Sequence, residues 1–299
     1  MVRALLAFVI ASGLTVIMQA NAEKKRIDGI GMSGTAFMIP YQLGVARTFI
    51  DYGMFEKYVT AGASGGALSG SLGCSGMSFT SFKKSIFAAV TTCANDANMC
   101  VGTLGEKLSN AISATLPSGQ SYANCNGRLY IQTTIGTVPQ DPTSSECFCT
   151  QTDKNRGKLV RHFKSRSDFV SILKTTTYLS KIVAPECTRS FRKFDETCDG
   201  GYSDNLPCPP QAIGEGKFCL KASVYPKFMW SSKTNTTGPA DIYPGVRGDD
   251  TLPFQDRDLW ATATHNPKTI DTYKDEIYQA GRLDAKFWLD ENGFKRRNY

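Results

Sequence analysis

Segments that read as strands and segments that read as helices alternate along the chain. Arg26 to Gly29 begins a short strand that runs into a glycine-rich turn. Thr35 to Tyr52 reads as a helix stopped by Gly53, a residue suited to the left-handed conformation that closes helices. Pro40 lies inside it and is expected in its first turn or at a kink. Tyr58-Val59-Thr60 is a second strand, leading through Gly62-Ala63-Ser64-Gly65-Gly66 into a helix of small residues, Ala67 to Leu72. Leu129 to Ile135, rich in Ile, Thr and Tyr, predicts a strand. Thr137 to Asn155 predicts a loop or ribbon, Leu159 to Phe163 a strand, and Asp168 to Leu179 a helix capped by Ser167. Leu220 to Tyr225 is a further strand. Ile270, Tyr273, Ile277, Ala280 and Phe287 recur at helical spacing, so residues 270–290 predict a long helix. Such alternation predicts an α/β fold, a mainly parallel sheet covered by helices.

The first residues add a destination. Arg3, the apolar run Ala4 to Met18 and Ala20-Asn21-Ala22 form a secretory leader over residues 1–22, leaving 23–299 as one mature domain. Ser12, Gly13 and Thr15 dilute the run too much for a comfortable membrane span, and no later stretch is apolar enough for one. All ten cysteines follow residue 22, an even number that predicts up to five disulfides in a secreted or endomembrane-lumenal protein. Zinc is the rival use, but Cys147-Phe148-Cys149 is a poor ligand pair and no Cys-x-x-Cys occurs. Asn235-Thr236-Thr237 is a glycosylation sequon. A net charge of +7 over 299 residues, without a basic block before Lys295-Arg296-Arg297, excludes a dedicated nucleic-acid binder and leaves a weak preference for anionic surfaces.

The chemistry concentrates at a serine. Gly62-x-Ser64-x-Gly66 between a strand and a helix is a nucleophile-elbow arrangement: the tight turn exposes the hydroxyl, and the flanking glycines let backbone approach. The Gly65 amide and the helix amino end are expected to face a developing oxyanion. A base is needed. His162 and His265 are the only histidines, and only His265 follows the Ser…acid…His order of a hydrolase triad. The other candidate is Asp199, followed by Gly200 and Gly201, whose lack of side chains lets the carboxylate approach another loop; an ordinary Asx turn is the bland alternative.

Gly29-Ile30-Gly31-Met32-Ser33-Gly34 has two readings. It is a dinucleotide fingerprint, with Asp51 or Glu56 as the ribose-binding acid, or an oxyanion hole built from successive amides, those of Gly29, Gly31, Met32 and Gly34. The serine elbow at the next strand end favours the second.

These pieces together resemble the patatin-like phospholipase family, most closely its adipose triglyceride lipase and adiponutrin branch. The glycine spacing 29, 31, 34 is similar, as are Gly62-Ala63-Ser64-Gly65-Gly66-Ala67-Leu68 and Asp199-Gly200-Gly201-Tyr202-Ser203-Asp204-Asn205-Leu206-Pro207. Gly127-Arg128-Leu129, His162-Phe163, Asp241-Ile242-Tyr243-Pro244 and Gln279 to Phe294 extend the likeness over most of the mature chain. The resemblance implies a three-layer α/β/α fold, here reinforced by disulfides. It also implies a Ser64–Asp199 dyad without metal or cofactor, and ester hydrolysis of an acyl glycerolipid at a membrane or lipid surface. Transfer of the acyl group to another lipid, and a non-catalytic lipid-binding or storage role, are the alternatives. Cys198 and Cys208 bracket the aspartate motif, and disulfides there are expected to fix its loop.

Overall fold

A computed structural model describes residues 25–136, 156–180, 182–183, 186, 188–229, 239–248, 252 and 265–297. The leader, the 137–155 segment, Cys147, Cys149, Cys187 and the Asn235 sequon lie outside the described residues.

The fold is α/β. Among the described residues, seven strands form one mixed sheet: β1 (Gly29–Met32), β2 (Thr60–Ala63), β3 (Leu129–Ile135), β4 (Arg156–Val160), β5 (Arg189–Phe191), β6 (Phe194–Cys198) and β7 (Cys219–Ala222). The order β7-β1-β2-β3 is parallel throughout. β4 and β6 run antiparallel to β3, and β5 pairs antiparallel with β6. The described helices are α1 (Ile39–Asp51), α2 (Met54–Lys57), α3 (Gly65–Ser71), α4 (Phe79–Asn95), α5 (Leu104–Thr115), α6 (Arg166–Thr176) and α7 (Pro267–Glu291).

Local rules explain most boundaries. Pro40 sits in the first turn of α1, where its missing N–H is harmless, and Gly53 beyond the helix adopts φ 66°. Asn266 caps α7 through the amides of Lys268 and Thr269, and Tyr273 interrupts that helix with φ −116°, ψ 16°. Ser165, two residues before the expected cap, accepts the Asp168 amide and starts α6.

Several strands begin later or earlier than their composition predicts. β1 is Gly29–Met32 rather than Arg26 to Gly29, and β2 takes in Gly62. Tertiary pairing overrides the poor strand propensity of glycine here, because β1 and β2 lie inside the sheet with partners on both sides. β4 begins at Arg156, and β7 ends at Ala222, three residues short of its expected end.

The core gathers β1 and β3 with α1, α3, α4, α6 and α7; Met38, Tyr41, Phe49, Phe82 and Phe169 are among its fully buried side chains. α1 and α7 touch backbone to backbone: a Cβ on Gly44 would fall 2.1 Å from the Tyr278 carbonyl oxygen. Buried Asp284 on α7 accepts from Tyr41 Oη at 2.8 Å and from Arg247 Nε at 2.7 Å. Disulfides join Cys74–Cys125, Cys93–Cys100 and Cys208–Cys219, and Cys198 is also disulfide-bonded.

Candidate active site

Strand β3 is the frame on which the site hangs. β2 lies along one edge of it and ends with Ala63 opposite Gln132. β4 fills the other edge, from Val160 opposite Ile131 to Arg156 opposite Ile135. β6 therefore takes the first edge again, just past the end of β2, with Thr197 opposite Ile135 and Cys198 opposite Thr134. The chain leaving β2 arrives at Ser64; the chain leaving β6 from the opposite direction arrives at Asp199. Both come to the level of Thr133, whose hydroxyl donates to the Cys198 carbonyl at 3.3 Å.

Ser64 has φ 51° and ψ −127°, a strained conformation for a residue with a side chain and the one an elbow requires. Its amide donates to Thr176 Oγ1 at 2.8 Å, and Thr176 in turn donates to the Gln132 carbonyl at 2.6 Å. Gly62 ends the approach and Gly66 opens α3; a Cβ on Gly66 would lie 2.3 Å from the Met32 carbonyl oxygen, so the elbow nests against β1 only without one. Gly65 is the first residue of α3, and its N–H belongs to the helix turn that lacks internal acceptors.

Asp199 is held as firmly. Its amide donates to the Tyr178 carbonyl at 3.0 Å, and its own carbonyl accepts from Thr134 Oγ1 at 2.8 Å. Oδ1 accepts the Gly201 amide at 2.7 Å. Gly200 packs on β3, where a Cβ would come within 2.2 Å of the Gln132 carbonyl oxygen. Asp199 is 3% exposed and Ser64 7%, so the pair is nearly dry. Burial pushes the Asp199 carboxyl up to about 7, while the Ser64 hydroxyl and the Gly201 amide beside it pull the other way. The hydroxyl is near enough to exert that pull without a well-aligned hydrogen bond, for Oδ2 stands without a partner among the described residues.

Two cavities meet at Ser64. One, of about 260 Å³, also takes in Asp199, Gly34, Asn205 and Tyr225. The other, of about 90 Å³, is apolar and runs between Phe37, Leu68, Ile86, Val90, Leu104 and Leu108. Thr35, Ala36, Leu179 and His265 line both. Burial and the charge of Asp199 raise the Tyr225 phenol to about 12.

The glycine loop departs from expectation. Gly29, Gly31 and Met32 are not a loop of free amides; they form β1 and pair with β7, and Gly31 and Met32 also pair with β2. The Gly34 amide is taken by the Asn205 carbonyl at 2.9 Å. Gly65 keeps its expected place beside Ser64. Across the cavity, the amides of Thr35 and Ala36 have no backbone acceptor among the described residues, and Ala36 has φ 44°. The Thr35 hydroxyl packs on Gly65, where a Cβ would lie 2.0 Å from it. The backbone amides near Ser64 that lack a backbone acceptor among the described residues thus lie just after the glycines, at Thr35 and Ala36. Asp51 and Glu56, the acids of the dinucleotide reading, are engaged by Arg47 and Arg296, and by Arg297.

His162 is exposed and lines neither cavity, whereas exposed His265 stands on the rim of both. Thr35, Ala36 and Thr176 carry no sequence signal of their own, and only the fold brings them to Ser64; Asn205 belongs to the Asp199 motif. The chain matches no protein-family description and no curated protein.

Proposed function

We propose that the chain is a serine lipid acyl hydrolase of the patatin-like kind, with a three-layer α/β/α domain, acting on acylglycerols or glycerophospholipids in a secretory compartment. One observation carries the reading. A strained, nearly buried serine stands against a carboxyl that holds its proton up to about pH 7, at the mouth of an apolar cavity. Ester hydrolysis requires a nucleophile, a base near the working pH and an apolar place for the acyl chain, and this site offers all three.

Ser64 Oγ attacks the ester carbonyl, and its proton passes to Asp199. A carboxylate of ordinary pKa, about 3.9, is too weak a base for this; burial supplies the missing basicity. The Gly65 amide, with those of Thr35 and Ala36, receives the oxyanion, where losing one donor typically lowers the rate on the order of 10²–10³-fold. Asp199 returns the proton to the departing alcohol. Water then attacks the acyl-Ser64 ester by the same route in reverse, releasing the fatty acid.

The disulfides support a lumenal or secreted location. No described helix is long and apolar enough to cross a membrane.

The test is direct: purified protein with triacylglycerol, phospholipid and galactolipid substrates, beside labelling by a fluorophosphonate probe. Fatty acid release together with covalent labelling at Ser64 is expected. Absence of both would remove the hydrolase reading.

A further inference from the structure

We propose that a third cavity, behind the wall of the apolar one, is a binding site for a phosphate group. It has a volume of about 620 Å³ and is lined by Lys174 of α6 and Arg189 of β5. Both side chains are partly buried. Among the described residues neither forms an ion pair, and Arg189 Nε is buried with no hydrogen-bond partner. The lining carboxylates, Glu106 and Glu186, belong to residues exposed to water. Burial and the nearby Arg189 charge both push the Lys174 ammonium below its ordinary value, and burial does the same to Arg189.

Two neighbouring cations that form no ion pair with the lining carboxylates Glu106 and Glu186 among the described residues are unfavourable, and an anion with several acceptor oxygens relieves both at once. Phosphate suits the pair better than a lone carboxylate, because its oxygens can serve two cations and the hydroxyl of Thr188 together. The position relative to Ser64 is informative. Thr177 lines both this cavity and the apolar one, and the loop between them alternates: Val101 and Leu104 face the apolar side, Gly102 and Thr103 this one. The loop is hydrogen-bonded to the stretch after α6, Gly102 N–H to the Ile182 carbonyl and Gly105 N–H to that of Val183, both at 2.9 Å. A bilayer that presents an ester to Ser64 would therefore present headgroup phosphates here. That source rests on the acyl-hydrolase reading; the anion site does not.

The experiment uses the full chain carrying Ser64→Ala, so that binding is read without turnover. Its flotation with phosphatidylcholine vesicles is compared with and without phosphatidic acid, and inorganic phosphate is titrated separately by calorimetry. The comparison is repeated in Lys174→Gln/Arg189→Gln, in Lys174→Gln alone, and in the charge-matched surface control Lys84→Gln/Lys295→Gln. Phosphatidic acid is expected to strengthen vesicle binding about tenfold or more, the scale of one charge-assisted contact. The pocket variants should lose that gain and the control should keep it. A heat signal with inorganic phosphate that disappears in the same variants would assign the site to phosphate in general; a response to vesicles alone would assign it to lipid headgroups. Equal behaviour of the pocket and control variants in both arms overturns the proposal, whatever becomes of the dyad.

Discussion

The hydroxyl of Thr176 accepts the backbone N–H of Ser64 at 2.8 Å while donating to β3. It ties the strained elbow to the strand on which Asp199 is also hung. Thr176→Val keeps the shape and removes the acceptor, leaving a buried amide unsatisfied. The variant is expected to lose about 1–3 kcal/mol of stability. It should also lose kcat by roughly tenfold, with KM little changed, since Ser64 shifts while the cavity does not. Thr176→Ser should recover most of both. A normal kcat in a destabilised Thr176→Val would reduce Thr176 to a packing residue.

Replacing the dyad separates it from a triad. Ser64→Ala and Asp199→Asn are each expected to abolish ester hydrolysis, while His265→Ala retains the larger part. The geometric reason is burial: Asp199 faces the Ser64 hydroxyl from inside the protein, whereas His265 is exposed at the rim. Initial rates on a soluble ester, with circular dichroism to confirm folding, decide the matter. Silence of the histidine variant, with Asp199→Asn still active, would transfer the base to the imidazole.

The raised Asp199 carboxyl links activity and stability to pH in opposite senses. Hydrolysis needs the carboxylate, so kcat/KM should climb through about pH 7 and level off above it. Stability runs the other way. The native acid holds its proton up to about 7, against an ordinary value of 3.8. Between those two values the folded state binds more proton than the unfolded one. Stability is therefore complete below about pH 4 and declines as pH rises to about 7, beyond which it is level. Asp199→Asn removes this term. It should be more stable than the parent at alkaline pH, on the order of a few kcal/mol, and indistinguishable in this respect near pH 4. Urea midpoints measured across that range test it. An acid limb of the rate profile near pH 4 would show that the carboxyl is not shielded.

How much of this was legible beforehand depends on what carried each element. The elbow declares itself through Gly62, Ser64 and Gly66, and the acid through Asp199, Gly200 and Gly201, because close backbone approach leaves glycine in the sequence. β3 is readable from its own β-branched and aromatic residues. α4 is not among the elements predicted from the sequence, although Phe82, Ile86, Ala89, Val90 and Cys93 stand at helical spacing. β6 is different: Phe-Asp-Glu-Thr-Cys has no strong strand signature, and its place is fixed by the free edge of β3 beyond β2. That long-range pairing brings Asp199 to Ser64. That the glycine amides are not free for the oxyanion role expected of them has the same origin, since the sheet claims the Gly31 and Met32 backbone on both sides.

The apolar cavity makes the last expectation. Ala89 on α4 is 9% exposed and lines it together with Ser64, Leu68 and Leu108. A larger side chain there is expected to fill the cavity. Ala89→Phe is expected to reduce hydrolysis of long-chain esters by about tenfold or more, the scale of losing the burial of two or more methylenes at roughly 0.8 kcal/mol each. Butyrate esters, whose chain ends before the obstruction, should be cleaved at close to the parent rate. Chain-length profiles of p-nitrophenyl esters in the two proteins provide the measurement. A uniform loss across all lengths would mean that the substitution disturbed Ser64 itself, and an unchanged profile that the acyl chain leaves the site by another path.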